Sequence, residues 1–508
     1  MSDTKKKKGF LDRSLTFVEK AGNALPHPAT LFLILALLVL GVSWLAWYLG
    51  AGAVNPATGE AVKSINLLSK EGLHWIFDGM VENFTSFAPL GIVLVAMLGI
   101  GVAESSGLIT ALIRMLVLNA PRRLLTFVLV LTGVISNVAS DIGYVLLIPL
   151  AGVIFQAVDR HPIAGMAAAF AGVSGGFSAN LLLGTIDPLL AGLSTEAAEI
   201  IDPSYSVNPT ANYYFMVVST FFIAFVGTFI TERIVEPRLG TYEGHVEQEK
   251  IDKLDKNEKR GLLYAGITIT IFTIIILFGI IPEDGFFRSE TGSRLDSPLI
   301  KDVIALLFIV AAITGLMYGI GARTFKNDAD VMNGMRDSIK TLAMYIVLVF
   351  FAAQFVAYFK WSNLGVIFAI RGAEVISSSG IGLIPLLIMF IILSASINML
   401  MGSASAKWAI LAPVFIPMFM LMGYSPELSQ VVFRIGDSVT NIISPMMSFF
   451  ALIIAYFQKY DSKTGIGTII ATMLPYSVAF FIVWTIILVV WIYLGIPLGP
   501  EAGIYYPR

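Results

Sequence analysis

The chain has 508 residues, of which 56% are hydrophobic and only 13% are charged. Soluble domains carry roughly 25% charged residues, so this composition excludes a soluble protein and predicts a polytopic membrane protein. The net charge of −2 gives no case for a nucleic-acid partner, and the lack of cysteine excludes disulfides and thiolate metal sites.

The chain begins with a basic segment, 1–28, that we expect to lie in the cytoplasm. The apolar run that follows is too long for a signal peptide and lacks a small-residue cleavage site, so it is predicted to be retained as the first span. Runs of single-span length cover 29–50, 87–103, 212–231, 262–281, 302–322, 341–359 and 467–496. The segment 51–84 is predicted to be an extramembrane loop, with a turn at NPATGE (55–60).

Four further apolar runs are too long for one straight helix, because about 20 residues cross the hydrocarbon core. These runs are 124–158, 163–195, 383–420 and 427–457. Their interruptions are SNVASD (136–141), GGFSANLLLGTIDP (175–188), GSASAK (402–407) and GDSVTNIISP (436–445). Irregular backbone at membrane depth is typical of re-entrant hairpins and broken helices that line a cavity.

The distribution of Lys and Arg orients these runs. We consider the first and third long runs to be re-entrant hairpins and the second and fourth to cross as broken helices. The chain then crosses nine times, with its N-terminus in the cytoplasm and its C-terminus in the periplasm. In that topology 23 of the 33 Lys and Arg residues lie on the cytoplasmic side and 8 on the outer side. The other two, Lys407 and Arg434, lie inside the membrane.

The two halves of the chain resemble each other. GGFSANLL (175–182) is similar to GDSVTNII (436–443), and SNVAS (136–140) is similar to GSAS (402–405). Because the two hairpins enter from opposite sides, the repeat is inverted, as in secondary transporters with broken helices at the midplane. The predicted fold is therefore an all-α polytopic membrane protein, with nine transmembrane helices, two opposed re-entrant hairpins and an inverted repeat with broken helices. The predicted units are a first repeat, 29–231, with hairpin 124–158 and broken helix 163–195; a cytoplasmic linker, 232–260; and a second repeat, 261–508, with hairpin 383–420 and broken helix 427–457.

Charged residues inside the membrane are candidates for function, because a carboxylate at the bilayer centre costs roughly 2.5–3.5 kcal/mol on insertion scales. Arg434 and Asp437 lie three residues apart on one helix face. They form either a structural ion pair or a site in which Arg434 engages a substrate carboxylate or modulates an aspartate that cycles protons. Asp187 precedes a proline, so it is predicted to line an unwound segment. Asp141 and Lys407 lie at the hairpin tips, where they act in transport or satisfy freed backbone groups.

Amide and hydroxyl side chains at the interruptions form a candidate site for a hard cation such as Na⁺. They are Asn137, Asn180, Asn398 and Asn441, with Ser140 and Ser405. The alternative, favoured for each residue taken singly, is that they cap the half-helices. The free N-termini of half-helices favour an anionic substrate. Trp408 follows the second hairpin tip, where it either stacks on an aromatic ligand or packs within the protein.

Longer stretches carry a more specific signal than these single motifs. They are NALPHPATLF (23–32), LLSKEGLHW (67–75), NFTSFAPLG (83–91), DRHPIAGMAAAFAGVSGGFSANLL (159–182), TERIVEPRLG (231–240), QFVAYFKWSNLG (354–365), GSASAKWAILAPVFIPMFMLMGYSP (402–426) and GIPLGPEAGIYYPR (495–508). Together they resemble the AbgT family, the p-aminobenzoyl-glutamate transporters, almost from end to end. The resemblance implies a homodimer whose protomers have nine spans and two opposed hairpins.

The resemblance also implies roles for individual residues. The positions that are important for function in the family correspond in this chain to Asp187, Trp408, Pro426, Arg434, Asp437 and Pro445, with Ser405 nearby. Asn398 and Asp437 fall on Na⁺-site positions. The implied substrates are p-aminobenzoyl-glutamate and, in some members, exported sulfonamide antimetabolites. Their shared ring suits Trp408, and the glutamate carboxylates suit Arg434.

These observations predict an ion-coupled secondary transporter of the bacterial inner membrane, not an enzyme. It has no cofactor, and Na⁺, H⁺ or both drive it. We expect an elevator-like or rocking motion of a core that contains both hairpins, while the other spans form a dimer scaffold. The alternatives are a Na⁺-coupled dicarboxylate symporter on the same scaffold and, less favoured, an anion channel.

Overall fold

The computed structural model describes residues 26–54, 59–138, 142–242, 244, 253–288 and 297–506. Helices account for nearly all of the regular structure in these ranges. One small antiparallel ribbon pairs Gly52–Val54 with Ala61–Lys63. The prediction of an all-α polytopic membrane protein with interrupted helices is therefore confirmed.

The apolar runs of the first half form helices because a helix satisfies its own backbone groups where water is absent. These helices are Pro28–Tyr48, Lys70–Thr85, Ala88–Ser105, Leu108–Leu118, Leu125–Ser136, Ile148–Ala157, Pro162–Phe170, Ile186–Ala198, Tyr213–Ile230 and Glu236–Leu239. A 3₁₀ turn covers Arg122–Leu124, and π-helical turns cover Gly143–Leu147, Ala171–Gly175 and Thr231–Val235. The expectation of a loop over 51–84 is wrong for its second half. The Ser69 side chain caps a helix there by accepting the Gly72 N–H at 3.1 Å.

The second half follows the same pattern. Its helices are Lys256–Ile280, Pro298–Lys301, Val303–Ala322, Asp328–Thr341, Ala343–Trp361, Leu364–Ser378, Leu383–Asn398, Ala404–Leu421, Pro426–Asn441, Phe450–Tyr460 and Ile466–Leu494. Two of them, Asp328–Thr341 and Leu364–Ser378, lie between predicted spans. The first of these two begins with a capping box between Asn327 and Asp330, which the apolar pattern does not signal.

Eight helices of the described ranges are long and apolar enough to cross a membrane, or up to nine if the bent pair Leu108–Leu118 and Arg122–Ser136 forms one span. Seven of the eight coincide with the predicted single spans. The eighth, Ala404–Leu421, is the second arm of the predicted hairpin 383–420, whose re-entrant path stays a prediction. The seven straight spans and the two predicted broken helices together make nine crossings.

All four predicted interruptions are present as breaks between helices. In the first half of the chain, we call Leu125–Ser136 with Gly143–Ala157 hairpin 1, and Pro162–Gly175 with Ile186–Ala198 broken helix 1. In the second half, we call Leu383–Asn398 with Ala404–Leu421 hairpin 2, and Pro426–Asn441 with Phe450–Tyr460 broken helix 2. Apart from Ala404–Leu421, each of these halves has 11 to 16 residues. Such lengths fall short of the roughly 20 residues that a span needs.

Glycines allow each hairpin to pack closely on the broken helix that follows it. A Cβ atom on Gly172 would lie 2.3 Å from the carbonyl oxygen of Val130, and one on Gly436 would lie 2.4 Å from that of Ile391. Both contacts join the first arm of a hairpin to the first half of a broken helix. The two halves of the chain therefore use the same small-residue packing, as a structural repeat predicts.

Burial distinguishes the first halves of the two broken helices, Pro162–Gly175 and Pro426–Asn441, from the outermost straight spans. Pro162–Gly175 is buried along its whole length. Lys256–Ile280, in contrast, exposes large apolar side chains such as Ile267 and Phe278, which suits contact with lipid. The irregular backbone is therefore held within protein, where its polar groups can find partners.

The C-terminal segment joins the two halves outside the membrane-spanning helices. The backbone N–H of Tyr506 donates to the Gly423 carbonyl at 2.9 Å, and its hydroxyl donates to Asp202, also at 2.9 Å. Hydrogen bonds from Ser204 and Tyr506 hold the pKa of Asp202 below its ordinary value. The segment thereby connects the end of hairpin 2 to the loop after broken helix 1.

Candidate functional site

The four interruptions meet around one cavity of about 340 Å³. The hairpins contribute Asn137, Tyr144, Gly402, Ala404 and Ser405, and the broken helices with their gaps contribute Phe177, Thr185, Ile186, Asn441 and Phe449. Straight helices close the cavity with Val93, Met97 and Tyr345. Irregular backbone from both halves of the chain thus faces a single cavity, which is the usual place for a transporter site.

Aromatic rings form much of the cavity wall. Tyr144 of hairpin 1 stacks on Phe449 beside broken helix 2, with ring centroids 4.6 Å apart and planes inclined by 11°. Phe177 and Tyr345 also line the cavity. Rings in this arrangement can stack on a planar ligand. Sequence reasoning missed these residues, although Tyr144, Phe177 and Phe449 all lie in or next to a predicted interruption.

Two helices begin at the cavity. The second half of broken helix 1 begins at Ile186, and the second arm of hairpin 2 begins at Ala404 after its cap, Ser403. Helix N-termini carry unpaired backbone N–H groups and a partial positive charge. None of the described residues that line the cavity has a charged side chain. An anion in the cavity would therefore interact with these two helix ends rather than with a charged side chain.

A buried ion pair lies next to this cavity, in the second half of the chain. The Lys407 ammonium contacts Asp437 Oδ1 and donates to Asn398 Oδ1, and all three residues are buried. The Asn398 side-chain N–H₂ group points to the Asp437 carbonyl at 2.7 Å and to Asn441 Oδ1 at 2.8 Å. The two residues that the resemblance assigned to Na⁺ therefore each have one side-chain oxygen in contact with an ammonium group.

Arg434 has a different partner from the one expected. Its Nη2 lies 2.6 Å from Asp187 Oδ1, and both side chains are buried. Asp187 Oδ2 also accepts the Gly184 N–H at 2.7 Å. The interpretation of Arg434 and Asp437 as an ion pair is wrong, because each has a closer partner on another element. Arg434 and Asp187 do not line the cavity, so their roles in transport stay predictions.

Trp408 is fully buried between hairpin 2 and broken helix 2. Its indole N–H donates to Ser194 Oγ at 3.0 Å, and its ring stacks on Phe433 with centroids 4.5 Å apart. Ser194 in turn donates to Gln430 at 2.7 Å, which links broken helix 1 to broken helix 2. In this conformation the indole packs within the protein rather than lining the cavity, and its contact with substrate stays a prediction.

The other polar candidates divide into two groups. Asn137, Asn441 and Ser405 line the cavity. Asn137 donates to the Val134 carbonyl at 3.2 Å, while its buried Oδ1 has no hydrogen-bond partner among the described residues. Asn180, in contrast, accepts the N–H groups of the next two residues at 2.8 and 3.3 Å. It therefore stabilises a turn within the break of broken helix 1 and caps no half-helix, because the helix that follows begins at Ile186 with Thr185 at its cap position.

The two candidate prolines shape broken helix 2 rather than the cavity. Pro426 is its first residue, directly after the cap Ser425, which accepts the Leu428 N–H at 3.2 Å. Pro445 lies in the gap between its two halves. Their functional roles stay predictions. Asp141 and Ser140, at the tip of hairpin 1, lie outside the described residues.

A larger cavity, of about 860 Å³, lies beside the C-terminal segment. Its lining includes Tyr205, Glu427, Glu501 and Asp302. The buried Glu427 carboxylate accepts the Tyr205 hydroxyl at 3.0 Å. This space is acidic and touches none of the four interruptions, so the smaller cavity is the better candidate for a site that takes an anion.

Comparisons with known proteins agree with the architecture. Residues 13–506 match the sequence profile of the AbgT putative transporter family. The p-aminobenzoyl-glutamate transport protein of Escherichia coli K12 is 39% identical over 493 residues, which cover 97% of this chain and 96% of that protein.

Two solved structures have the same fold. The YdaH transporter of Alcanivorax borkumensis, described as having an unusual topology, has a TM-score of 0.90 at 46% identity and covers 94% of this chain and 100% of its own. MtrF of Neisseria gonorrhoeae, described as illuminating a class of antimetabolite efflux pumps, has a TM-score of 0.91 at 48% identity and covers 96% of this chain and 99% of its own.

Proposed function

The chain belongs to the AbgT family, and we propose that it is a secondary transporter of p-aminobenzoyl-glutamate and related aromatic antimetabolites, sulfonamides among them. The observation that carries the proposal is the cavity at which all four interruptions meet. It combines stacked aromatic rings with two helix N-termini, which matches a ligand that has one aromatic ring and carboxylates. The similarity to the p-aminobenzoyl-glutamate transport protein of Escherichia coli and to the antimetabolite efflux pump MtrF supports the same substrate class.

The proposed substrate can be oriented from the lining residues. Its ring lies against Tyr144 and Phe449, and its carboxylates face the helix ends at Ile186 and Ala404. The amino group on the ring faces Asn137, which lines the cavity. The cavity, at about 340 Å³, is at the lower end of the roughly 300–1,000 Å³ range of small-molecule sites.

The proposal includes coupling to an ion gradient and an elevator-like motion. One charge that moves through 100 mV supplies about 2.3 kcal/mol, enough for roughly a fifty-fold substrate gradient. The glycine contacts at Gly172 and Gly436 support a core in which each hairpin moves together with its broken helix. The remaining spans form the scaffold of a homodimer in the bacterial inner membrane, with the N-terminus in the cytoplasm.

The test is uptake of labelled p-aminobenzoyl-glutamate into proteoliposomes, with pH and Na⁺ gradients imposed separately. We expect saturable accumulation that unlabelled sulfonamide inhibits and succinate does not. Phe449→Ala, which removes a stacking ring, is expected to weaken apparent affinity about tenfold. Phe229→Ala is the matched control, because the Phe229 side chain is 59% exposed at the surface of the protein.

Three outcomes would contradict the proposal. Stronger inhibition by succinate than by the sulfonamide would favour the dicarboxylate symporter. Unitary currents of channel size in planar bilayers would favour an anion channel. Equal losses of affinity in Phe449→Ala and Phe229→Ala would place the substrate elsewhere.

A further inference from the structure

The resemblance to the AbgT family implies a Na⁺ site at Asn398 and Asp437, and the structure provides a test of whether the residues fit that ion. Na⁺ requires several free oxygen ligands and a local negative charge. Asn398 Oδ1 and Asp437 Oδ1 are instead joined by the ammonium of Lys407. The chain thus supplies its own cation at this position.

The orientation of the Asn398 amide supports this arrangement. Its N–H₂ group faces three oxygens, the Asp437 carbonyl at 2.7 Å, Asn441 Oδ1 at 2.8 Å and Thr440 Oγ1 at 2.9 Å. Its carbonyl oxygen is therefore the atom that faces Lys407. The opposite orientation would place amide N–H groups against the ammonium and would leave two acceptors facing an oxygen. The amide is held in the orientation that a cation requires, and the cation is Lys407.

The local charge balance leaves no place for a second cation. Asp437 is neutralised by Lys407, and the neighbouring Arg434 is neutralised by Asp187. All four side chains are nearly inaccessible to solvent, with exposures between 0% and 4%. A Na⁺ ion added to this cluster would leave one uncompensated positive charge in a medium of low dielectric constant.

We propose that the Lys407 ammonium is the resident cation between Asn398 and Asp437, and that it excludes Na⁺ from this position. Na⁺ then does not bind here while Lys407 is in place, and removal of the amine creates the Na⁺ site. The inference deepens the ion coupling of the proposed transporter and rests on that function for its biological meaning. Its test, however, needs no transport substrate, so the two can fail separately.

The experiment measures ²²Na⁺ binding and thermal midpoints of the purified full-length protein, in NaCl and in choline chloride at equal ionic strength. We expect the wild type to show neither saturable binding nor a Na⁺-specific shift that Asp437→Asn abolishes. Lys407→Met should gain saturable binding and a midpoint rise of about 2–3 °C at a hundredfold excess over Kd. The double variant Lys407→Met/Asp437→Asn should lose both effects.

The matched control is Lys360→Met. Lys360 is also paired with a carboxylate, Glu199 at 3.5 Å, but its side chain is 42% exposed, so we expect no gain of Na⁺ binding. Saturable Na⁺ binding by the wild type that Asp437→Asn abolishes would overturn the inference. So would a folded Lys407→Met that gains no Na⁺ binding. If Lys407→Met does not fold, the comparison of Na⁺ binding by the wild type and by Asp437→Asn still tests the inference. A Lys407 ammonium that excludes Na⁺ predicts equal Na⁺ binding by these two proteins.

Discussion

Removal of the Asp187 charge is the sharpest test of how the two halves of the chain are joined. In Asp187→Asn, the Arg434 guanidinium stays buried but loses the carboxylate that lies 2.6 Å from its Nη2. The substituted amide still offers an oxygen to the Gly184 N–H, so the local turn keeps its acceptor. The variant therefore isolates the loss of one charge.

The expected cost follows from burial. The Arg434 and Asp187 side chains are only 4% and 1% exposed. Removal of one partner from such a pair costs about 3–5 kcal/mol, because the other charge remains buried without compensation. With the unfolding entropy of globular proteins scaled to 508 residues, this cost lowers the midpoint temperature by about 3–5 °C.

Thermal unfolding followed by fluorescence-detected size exclusion measures this shift in detergent. The double variant Asp187→Asn/Arg434→Met removes both charges and should recover at least half of the lost stability. Asp337→Asn is the control, since Asp337 forms an exposed pair with Lys340 and should give no measurable shift. Additive losses in the double variant, or equal midpoints for Asp187→Asn and Asp337→Asn, would refute the reasoning.

Three further predictions concern packing and topology. Trp408→Ala should lower the free energy of unfolding by about 3–5 kcal/mol because it leaves a large cavity. If the indole also binds substrate, the variant should lose more affinity for aromatic substrates than for aliphatic ones in proteoliposome uptake. Equal losses for both substrate types would remove the stacking role. Gly172→Ala should lower the midpoint temperature, because its Cβ would lie 2.3 Å from a carbonyl oxygen, whereas Gly266→Ala, with nothing within 4 Å, should be neutral or stabilising. Single cysteines at Arg123 and Asp159 should both react with impermeant thiol reagents from the cytoplasmic side, and the native chain, which has no cysteine, needs no prior substitution. Labelling from opposite sides would contradict a re-entrant hairpin 1.

The positions of the interruptions follow from local chemistry. An apolar run longer than a span, interrupted by Gly, Pro, Asn and Ser, cannot form one straight helix in lipid, because about 20 residues already cross the hydrocarbon core. The break in 163–195 accordingly lies between Gly175 and Ile186, and the break in 427–457 lies between Asn441 and Phe450. For the long apolar runs, the existence of helices and the approximate places where they stop are therefore predictable from the sequence. The less apolar helices Lys70–Thr85, Asp328–Thr341 and Leu364–Ser378 are not, because they lack that signal.

Ion-pair partners do not follow from local chemistry. The spacing of Arg434 and Asp437 places them on one helix face, and this left an ion pair between them as one of two interpretations. The structure brings Asp187 to Arg434 and Lys407 to Asp437 from other elements. Sequence spacing describes one helix, whereas the nearest opposite charge depends on which helices pack against it.

The scarcity of charge in the amino-acid sequence is enough to establish that lipid surrounds the chain and that Lys407 and Arg434 are exceptional. The packing of the helices determines that these two cations neutralise different carboxylates, and it places the Trp408 indole inside the protein. It also brings Tyr144 and Phe449 together across one cavity. The physical reason is the distance along the chain over which each effect acts. Hydrophobicity and helix breaking act within about 20 residues of the chain. The partners of a buried charge or ring are set by contacts between different segments, which lie 30 residues apart for Lys407 and Asp437 and much farther apart for Asp187 and Arg434.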